Sequence, residues 1–195
     1  MHITLVIFKL RHICVFSIKK VMNSGKNLVF LGMMGSGKSS IGLMISKKLN
    51  LEFFDTDQCI ETEVGMKISK IFEKKGEIFF REYEKKLTLN LLKKKNSIIA
   101  LGGGGFLNKE IQKAVLSNNL SFWLNWETKI LIKRIIGSPK RPVAYNSTKS
   151  ELIEMINLRN KQYSKAMFKV DCSDLTKNEV VNKIIDIYES KKTEN

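Results

Sequence analysis

The sequence predicts an α/β fold in which a parallel β-sheet is covered by helices on both faces. From residue 27 to residue 189, short apolar runs alternate with longer segments whose apolar residues recur at helical spacing. A glycine-rich loop at residues 32–39 separates the first apolar run from the first helical segment. Both prolines lie in one polar stretch, residues 137–147, so they interrupt no predicted strand or helix.

Five apolar runs predict the strands of this sheet. Runs such as IIAL at residues 98–101 lack the polar alternation of a half-exposed strand, which is typical of strands buried on both faces. In chain order, the predicted strands are residues 27–31, 51–54, 98–101, 120–124 and 168–170.

Helical spacing predicts helices between these strands. The stretch 58–75 is compatible with two short helices broken near Gly65, and a long helix follows from residue 77 to about residue 95. Other helices are predicted directly after the glycine-rich loop and at residues 109–116, 128–136, 151–165 and 177–189. Because helical crossovers connect parallel strands, ligands should bind at the carboxyl ends of the strands.

The glycine-rich loop, GMMGSGKS, matches the phosphate-binding pattern G-x-x-x-x-G-K-[ST] at every fixed position. Its glycines let successive N–H groups point at an anion, and the following helix start adds a partial positive charge. Lys38 would reach the β- and γ-phosphates, and the Ser39 hydroxyl would join a Mg²⁺ shell. A glycine-rich turn before a helix is the alternative. We expect a nucleoside triphosphate to bind at Gly35, Ser36, Gly37, Lys38, Ser39 and Ser40.

Two carboxylates, Asp55 and Asp57, follow the second predicted strand. One can hold Mg²⁺ directly or through water, and the other can accept a substrate hydroxyl proton during attack on the γ-phosphate. The alternative is that Asp57 only caps the helix that follows it. The phosphate loop upstream favours the functional interpretation.

Four consecutive glycines, residues 102–105, follow the third predicted strand. Such a run costs conformational entropy and is best explained where the backbone must approach a ligand closely. Arg81 and Arg159 lie in later helical segments and offer planar, bidentate donors for an anionic substrate. For both arginines, the alternative is a surface salt bridge, which Arg81 could form with Glu84 at helical i, i+3 spacing.

The composition argues against several classes of chemistry. The three cysteines show neither a disulfide framework nor metal-ligand spacing, so we expect a reducing compartment, the cytoplasm. His2 and His12 precede the predicted domain, which disfavours a histidine base or a His-ligated zinc site in the core. The net charge of +15 is compatible with nucleic-acid binding or with a lysine-rich composition. The scattered lysines favour the latter, so we expect no nucleic-acid partner.

Residues 1–26 precede the predicted domain, which we place at residues 27–195 with a lid at about residues 137–150. This leader is basic and free of acidic residues, as in some transit peptides, although it is poor in serine. The alternative is that translation starts at Met22, ahead of the first strand. The apolar stretch 3–10 is too short to span a membrane, so we expect no membrane partner.

Taken together, these motifs resemble those of the shikimate kinases. The resemblance covers about residues 27–187 and runs in order through GMMGSGKSS, FFDTD, IFEKKGEIFFREYE, ALGGGGF, KRPV and LRNKQY. It implies a five-stranded parallel sheet of the P-loop nucleoside-monophosphate-kinase type. It also implies ATP-dependent phosphorylation of the 3-hydroxyl of shikimate, on the route to chorismate and the aromatic amino acids, with Mg²⁺ as cofactor. We expect the protein to act as a monomer.

The resemblance further implies roles for single residues. Asp57 would hold the 3-hydroxyl as the base, and Asp55 would act on Mg²⁺ through water. Arg134 would stack on adenine, helped by the loop at residues 171–174, and Arg141 in the lid would reach the transferring phosphate. The residues implied at the substrate are Arg81, Gly103, Gly104 and Arg159, lined by Phe72 and Phe80, with Glu84 positioning the arginines.

Other functions remain open at this point. Another small-molecule kinase of the same fold, such as a gluconate or nucleotide kinase, is the main alternative, because two arginines favour a carboxylate without naming it. A GTP-dependent switch is disfavoured because residues 160–163 fail the guanine-reading pattern N-K-x-D at its last position. A nucleic-acid-binding ATPase is supported by net charge alone.

Overall fold

A computed structural model describes residues 25–136 and 147–193. At its centre is a five-stranded sheet in the order β2-β3-β1-β4-β5, and every neighbouring pair of strands is parallel. This confirms the predicted fold class. The strands are β1 (Leu28–Leu31), β2 (Glu52–Asp55), β3 (Ser97–Ala100), β4 (Leu120–Asn125) and β5 (Phe168–Asp171).

Seven α-helices lie within the described residues and cover both faces of the sheet. They are α1 (Lys38–Leu49), α2 (Thr56–Val64), α3 (Ile68–Leu92), α4 (Lys109–Asn118), α5 (Thr128–Ile136), α6 (Lys149–Tyr163) and α7 (Lys177–Thr193). A short 3₁₀ turn, Gly105–Leu107, precedes α4. No helix in these described ranges is long and apolar enough to cross a membrane.

Alternate residues of each strand point to opposite faces, and this separates the core into two apolar clusters. Leu28 and Phe30 of β1 join the cluster under α1, α5, α6 and α7. Val29 and Leu31 join the cluster under α2, α3 and α4. All four side chains are essentially inaccessible to solvent. Burial on both faces therefore explains the uninterrupted apolar runs from which the strands were predicted.

The predicted break at Gly76 is confirmed: this residue is not helical, with φ of 80°, and the helical segments on its two sides meet there at a kink within α3. Other helix boundaries differ from the prediction by a few residues. Helix α6 begins at Lys149, so the last two residues of the predicted lid are helical. Thr148 and Glu151 form a capping box that sets this start. Residues 137–146 of the predicted lid, and residues 1–24 of the leader, lie outside the described residues.

A buried amide joins the ends of several elements at the amino-terminal edge of the sheet. The Asn27 side chain donates to the carbonyls of Leu92 and Lys94 and to Asn119, and it accepts from the backbone N–H of Ser97. These bonds connect the start of β1 with the end of α3 and the starts of β3 and β4. Because an unsatisfied buried polar group is costly, this network fixes how the strands are aligned.

At the opposite edge, the carboxyl ends of β2, β3 and β1 lie side by side because these strands are neighbours in the sheet. The loop after β1 is the phosphate-binding sequence, and the glycine run follows β3. The hydroxyl of Thr56, at the start of α2, accepts a 2.7 Å hydrogen bond from the N–H of Gly102. The three predicted site segments are thus brought together by strand order and joined by direct contact.

Candidate active site

The phosphate-binding loop has the backbone conformation that its glycines predict. Gly35 and Gly37 have φ of 83° and 89°, values that other residues rarely adopt, and α1 begins at Lys38. The Lys38 ammonium donates hydrogen bonds of 2.8 and 3.1 Å to the carbonyls of Gly32 and Met33. The lysine therefore lies along the loop, at the helix N-terminus where an anion is favoured.

Asp55 joins the phosphate loop to the end of β2. Its carboxylate accepts a hydrogen bond from the Ser39 hydroxyl, and its other oxygen accepts from the backbone N–H groups of Asp57 and Gln58, at 3.0 and 3.3 Å. Asp55 is therefore the N-cap of α2, and the idea that Asp57 caps this helix is wrong: Asp57 lies inside its first turn. The extended backbone of Asp55, with φ of −101° and ψ of 117°, gives its side chain the capping position.

Asp57 is a half-buried carboxylate in the centre of this edge. Burial is the largest cause that raises its pKa from 3.8 to about 6; the negative charge of Asp55 contributes to this rise, and the positive charge of Lys38 opposes it. A carboxylate with this pKa is ionised at neutral pH and is a stronger base than an exposed aspartate. Its surroundings therefore suit proton transfer better than a structural role alone.

The glycine run forms a tight turn in which the N–H of Gly105 donates to the carbonyl of Gly102 at 3.1 Å. None of these four glycines has a left-handed φ, so conformational freedom does not explain them. They are explained by the close approach of charged side chains to the backbone. A β-carbon on Gly102 would lie 2.5 Å from a carboxylate oxygen of Asp57, and one on Gly104 would lie 2.7 Å from the guanidinium of Arg81.

The same turn also lies beside Arg159 and the phosphate loop. A β-carbon on Gly103 would lie 3.4 Å from the Arg159 guanidinium and 3.4 Å from the backbone nitrogen of Met34. The Arg159 guanidinium also donates to the Met33 sulfur at 3.7 Å. Gly103, Arg159 and the phosphate loop are therefore in close mutual contact.

Glu84 connects the arginines beneath this turn. It accepts a 2.8 Å hydrogen bond from Arg81, and its side chain is only 4% exposed, so the pair is not a surface salt bridge. Burial raises the pKa of Glu84, whereas the positive charges of Arg81 and Arg159 lower it. Arg81 also contacts Glu77 at 3.1 Å and lies 5.1 Å above the ring of Phe80.

Two aromatic residues that the sequence did not assign to the site hold its backbone. Trp126 donates its ring N–H to the carbonyl of Ser36 at 2.9 Å, across 90 residues of chain. Tyr163 is buried and donates its hydroxyl to the carbonyl of Gly103. Desolvation raises the pKa of Tyr163 to about 12, so the hydroxyl stays a donor. In the sequence, the segment LRNKQY places Tyr163 four residues after Arg159 and was a signal for Tyr163. No local pattern pointed to Trp126.

Arg134 lies at the far end of the phosphate loop. Its guanidinium stacks on the ring of Trp126, with 3.7 Å between the guanidinium carbon and the ring centroid, and it donates to the Gly35 carbonyl at 3.4 Å. The side chain is exposed on its other side. Asn125, next to Trp126, donates to Asp171 of the predicted adenine loop at 2.5 Å. Arg141, predicted to contact the phosphate, lies outside the described residues.

The donor set for a metal ion is small. Among residues 25–136 and 147–193, no group of three or more His, Cys, Asp or Glu side chains could hold a metal by itself. Ser39 and Asp55 nevertheless provide a hydroxyl and a carboxylate in contact at the phosphate loop. Mg²⁺ in phosphoryl-transfer enzymes commonly takes one or two protein oxygens, with water and phosphate as its other ligands. The residues present are therefore compatible with a nucleotide-bound Mg²⁺.

A cavity of about 570 Å³ opens on the outer side of α6. Of the residues predicted for the site, only Arg159 lines it, together with apolar side chains of Leu107, Met155 and Leu158. Asp57, Arg81 and Glu84, the other charged residues beside Gly102–Gly105, are not among its lining residues. This cavity therefore adjoins the predicted substrate crevice at Arg159 and does not replace it.

The parallel sheet, the phosphate loop and the adjacent carboxylates and arginines define a P-loop kinase for a small molecule. Comparison with known proteins identifies which one. The family model described as Shikimate kinase matches residues 34–189. A shikimate kinase of Thermodesulfovibrio yellowstonii is 38% identical over 165 residues, which are 84% of this chain and 95% of the relative. The chain belongs to the shikimate kinase family.

Solved structures agree with this assignment. The shikimate kinase of Aquifex aeolicus superposes with a TM-score of 0.76 at 32% identity, over 85% of this chain and 98% of that one. The enzyme of Acinetobacter baumannii, solved in complex with shikimate, has the same fold, with a TM-score of 0.82 at 24% identity over 89% and 98% of the two chains. A gluconokinase of Sinorhizobium meliloti is more distant, with a TM-score of 0.51 at 13% identity. The alternative of a gluconate kinase is thereby disfavoured.

The function predicted from the sequence is confirmed at this level. As a member of this family, the chain is a transferase that uses ATP to phosphorylate the 3-hydroxyl of shikimate in the biosynthesis of chorismate and the aromatic amino acids.

The close approach at the glycine run gives a graded prediction. Gly102→Ala places a β-carbon 2.5 Å from Asp57, whereas Gly105→Ala places one 3.3 Å from Glu84. A displacement of about 1 Å at reacting groups commonly costs on the order of 100-fold in rate. We expect kcat to fall by about 100-fold for Gly102→Ala and by less than about tenfold for Gly105→Ala. Steady-state kinetics of both purified variants, with urea unfolding as a check of folding, measure this, and equal losses would contradict the steric argument.

Proposed function

We propose that the residues around the glycine run divide the work of shikimate phosphorylation. Asp57 accepts the proton of the 3-hydroxyl, and Arg81 and Arg159 bind the substrate carboxylate, with backbone contacts from Gly103 and Gly104. The observation that carries this proposal is steric: the glycine turn brings one base and two guanidinium groups against four consecutive residues without side chains. Shikimate carries its carboxylate and its hydroxyls on one six-membered ring. The base and the two guanidinium groups must therefore lie within the width of that ring.

The arginines are held in a way that suits carboxylate recognition. Glu84 neutralises part of their charge beneath the turn, and Glu77 holds the Nε of Arg81. These bonds fix the plane of the Arg81 guanidinium before a ligand arrives, which lowers the entropy lost on binding. The rings of Phe72 and Phe80 lie 6.0 and 5.1 Å from the Arg81 guanidinium and provide an apolar wall.

We assign the contacts with the nucleotide to residues of the phosphate loop and to two further arginines. Its proposed contacts are Gly35, Ser36, Gly37, Lys38, Ser39, Ser40, Arg134 and Arg141. Backbone N–H groups at the start of α1 favour the phosphates, and Lys38 and Arg141 neutralise charge during transfer. Ser39 and Asp55 would hold Mg²⁺, directly or through water, and when bound the ion supplies further charge neutralisation at the phosphates.

We further propose a cytoplasmic monomer of the domain 27–195 that has shikimate and ATP as its small-molecule partners and no nucleic-acid or membrane partner. Residues 1–21 carry none of the motif residues. A chain that begins at Met22 should therefore remain folded and active. Gel filtration and an ADP-release assay on this shortened chain measure both, and loss of soluble, active protein would show that the leader is structural.

Asp57 gives a pH prediction. Because its pKa is raised to about 6, the ionised base is lost as the pH falls below about 6, and kcat/KM should then fall tenfold per pH unit. Asp57→Asn should lower kcat by roughly 10²–10⁴ at pH 8 and should leave ATP affinity nearly unchanged. Glu82→Gln, which neutralises an exposed carboxylate on α3, is the matched control and should retain the wild-type profile.

Stability gives an independent reading of the same group. A raised pKa means that ionised Asp57 destabilises the fold, by an amount that grows above pH 3.8 and is complete above about pH 6. Asp57→Asn should therefore raise the Tm more at pH 8 than at pH 4. If Asp57→Asn is inactive but raises the Tm equally at both pH values, the loss of activity does not come from removal of a desolvated carboxylate.

The proposed carboxylate clamp predicts a split between the two substrates. Lysine keeps the charge of arginine but loses the bidentate fork. Arg81→Lys and Arg159→Lys should raise the KM for shikimate by about tenfold or more and leave the KM for ATP within about twofold. Arg134→Lys is the matched control and should show the reverse. An unchanged shikimate KM in both substrate-side variants would refute the clamp.

The Mg²⁺ assignment has its own test. Asp55→Asn keeps the capping ability at α2, because asparagine is also a good N-cap, and it removes the negative charge. The Mg²⁺ concentration that gives half-maximal activity should rise while the thermal midpoint changes little. An unchanged Mg²⁺ titration would limit Asp55 to the capping role that the structure already shows.

A further inference from the structure

Two buried aromatic side chains hold the two glycine-containing loops by the same kind of bond. Trp126, just after β4, donates to the carbonyl of Ser36 in the phosphate loop. Tyr163, the last residue of α6, donates to the carbonyl of Gly103 in the glycine turn. The two rings are 8% and 1% exposed, so both donors are inside the protein.

The consequence follows from the geometry of the peptide bond. The described chain contains no cis peptide bond, and in a trans peptide the C=O and the following N–H point in opposite directions. A donor that holds the Ser36 carbonyl therefore aims the N–H of Gly37 away from Trp126, and a donor that holds the Gly103 carbonyl aims the N–H of Gly104 away from Tyr163. These N–H groups lie in the segments proposed to contact phosphate and shikimate.

Each aromatic residue also lies near an arginine that is proposed to bind the same ligand. The Arg134 guanidinium stacks on Trp126 at 3.7 Å and donates to the adjacent Gly35 carbonyl. Arg159 lies one helical turn before Tyr163 on α6, and its guanidinium lies beside Gly103. Trp126 thus joins a loop and an arginine of the nucleotide side, and Tyr163 joins a loop and an arginine of the shikimate side.

Both donors are suited to a fixed position. The Tyr163 ring packs 6.3 Å from Trp123 and 6.5 Å from Phe106, between ring centroids. An indole N–H can only donate, so Trp126 cannot reverse the polarity of its bond. In a buried environment such hydrogen bonds are stronger than in water, and their loss leaves a carbonyl unsatisfied.

We propose that Trp126 and Tyr163 are positioning residues with separate duties: Trp126 sets the affinity for the nucleotide, and Tyr163 sets the affinity for shikimate. Neither residue takes part in the chemical step. The proposal rests on the site roles proposed above for the phosphate loop, the glycine turn, Arg134 and Arg159.

The test uses the full-length chain and removes only the donors. Tyr163→Phe deletes the hydroxyl and keeps the ring. Trp126→Phe deletes the N–H, and replacement of Trp126 by 3-benzothienyl-alanine, which keeps the bicyclic shape without an N–H, covers the case in which Trp126→Phe fails to fold. KM for each substrate is measured at saturation with the other, and the Kd values for shikimate alone and for ADP alone are measured by calorimetry.

The expected result is a crossed pattern. Tyr163→Phe should raise the KM and Kd for shikimate by about fivefold, the equivalent of one hydrogen bond, with those for ATP and ADP within about twofold of wild type. Either Trp126 variant should show the reverse. A merely structural role would lower the unfolding midpoint without separating the ligands, so variants in which both KM values rise together, or neither rises, overturn the proposal.

Failure of this proposal can be distinguished from failure of the proposed site. If Arg159→Lys and Arg134→Lys separate the two substrates as expected while the aromatic variants do not, only the positioning roles are wrong. If all four positions fail to separate shikimate from ATP, the assignment of the two loops to the two ligands is wrong as well, and the positioning proposal falls with it.

Discussion

The site depends on the absence of side chains at residues 102–105. Each of these glycines lies against a charged group, and a single β-carbon at Gly102 or Gly104 would occupy the space of a functional oxygen or nitrogen. Their backbone angles are ordinary, so the chain accepts the entropy cost of glycine in exchange for proximity alone. Asp57 from α2, Arg81 and Glu84 from α3, and Arg159 from α6 can meet because the turn between them is thin.

Such proximity brings several charged groups together in a partly buried place, and each of them needs compensating partners. Two carboxylates, Asp57 and Glu84, and two guanidinium groups lie beside the turn, and the positive charges of Arg81 and Arg159 partly offset the desolvation of Glu84. Asp55 is stabilised by two backbone N–H groups and by Ser39. Burial raises the pKa of Asp57 as it does that of Glu84, and the nearby charge of Asp55 contributes to the pKa of about 6 at Asp57. Asp57 is the carboxylate proposed to exchange a proton, and raised pKa values are common at functional sites.

The sequence predicted what is encoded locally. Five strands, the phosphate loop and the unusual glycine run all follow from patterns within a few residues, and their convergence follows from the rule that ligands bind at the carboxyl ends of parallel strands. The identity of the α2 cap, the burial of Glu84 and the two aromatic donors were not predicted, because each depends on partners elsewhere in the fold. Trp126 and Ser36, 90 residues apart, show this limit most clearly. Arg141 stays a prediction from the sequence.

Gly103 lies where the proposed shikimate side and the phosphate loop meet. A β-carbon there would lie 3.4 Å from both the Arg159 guanidinium and the Met34 backbone nitrogen, and Arg159 contacts the neighbouring Met33 sulfur directly. If the two halves of the crevice bind the two substrates as proposed, this contact gives occupancy of one half a direct route to the other. Thermodynamic linkage makes the effect reciprocal: whatever synergy ATP confers on the binding of shikimate, shikimate must confer equally on the binding of ATP.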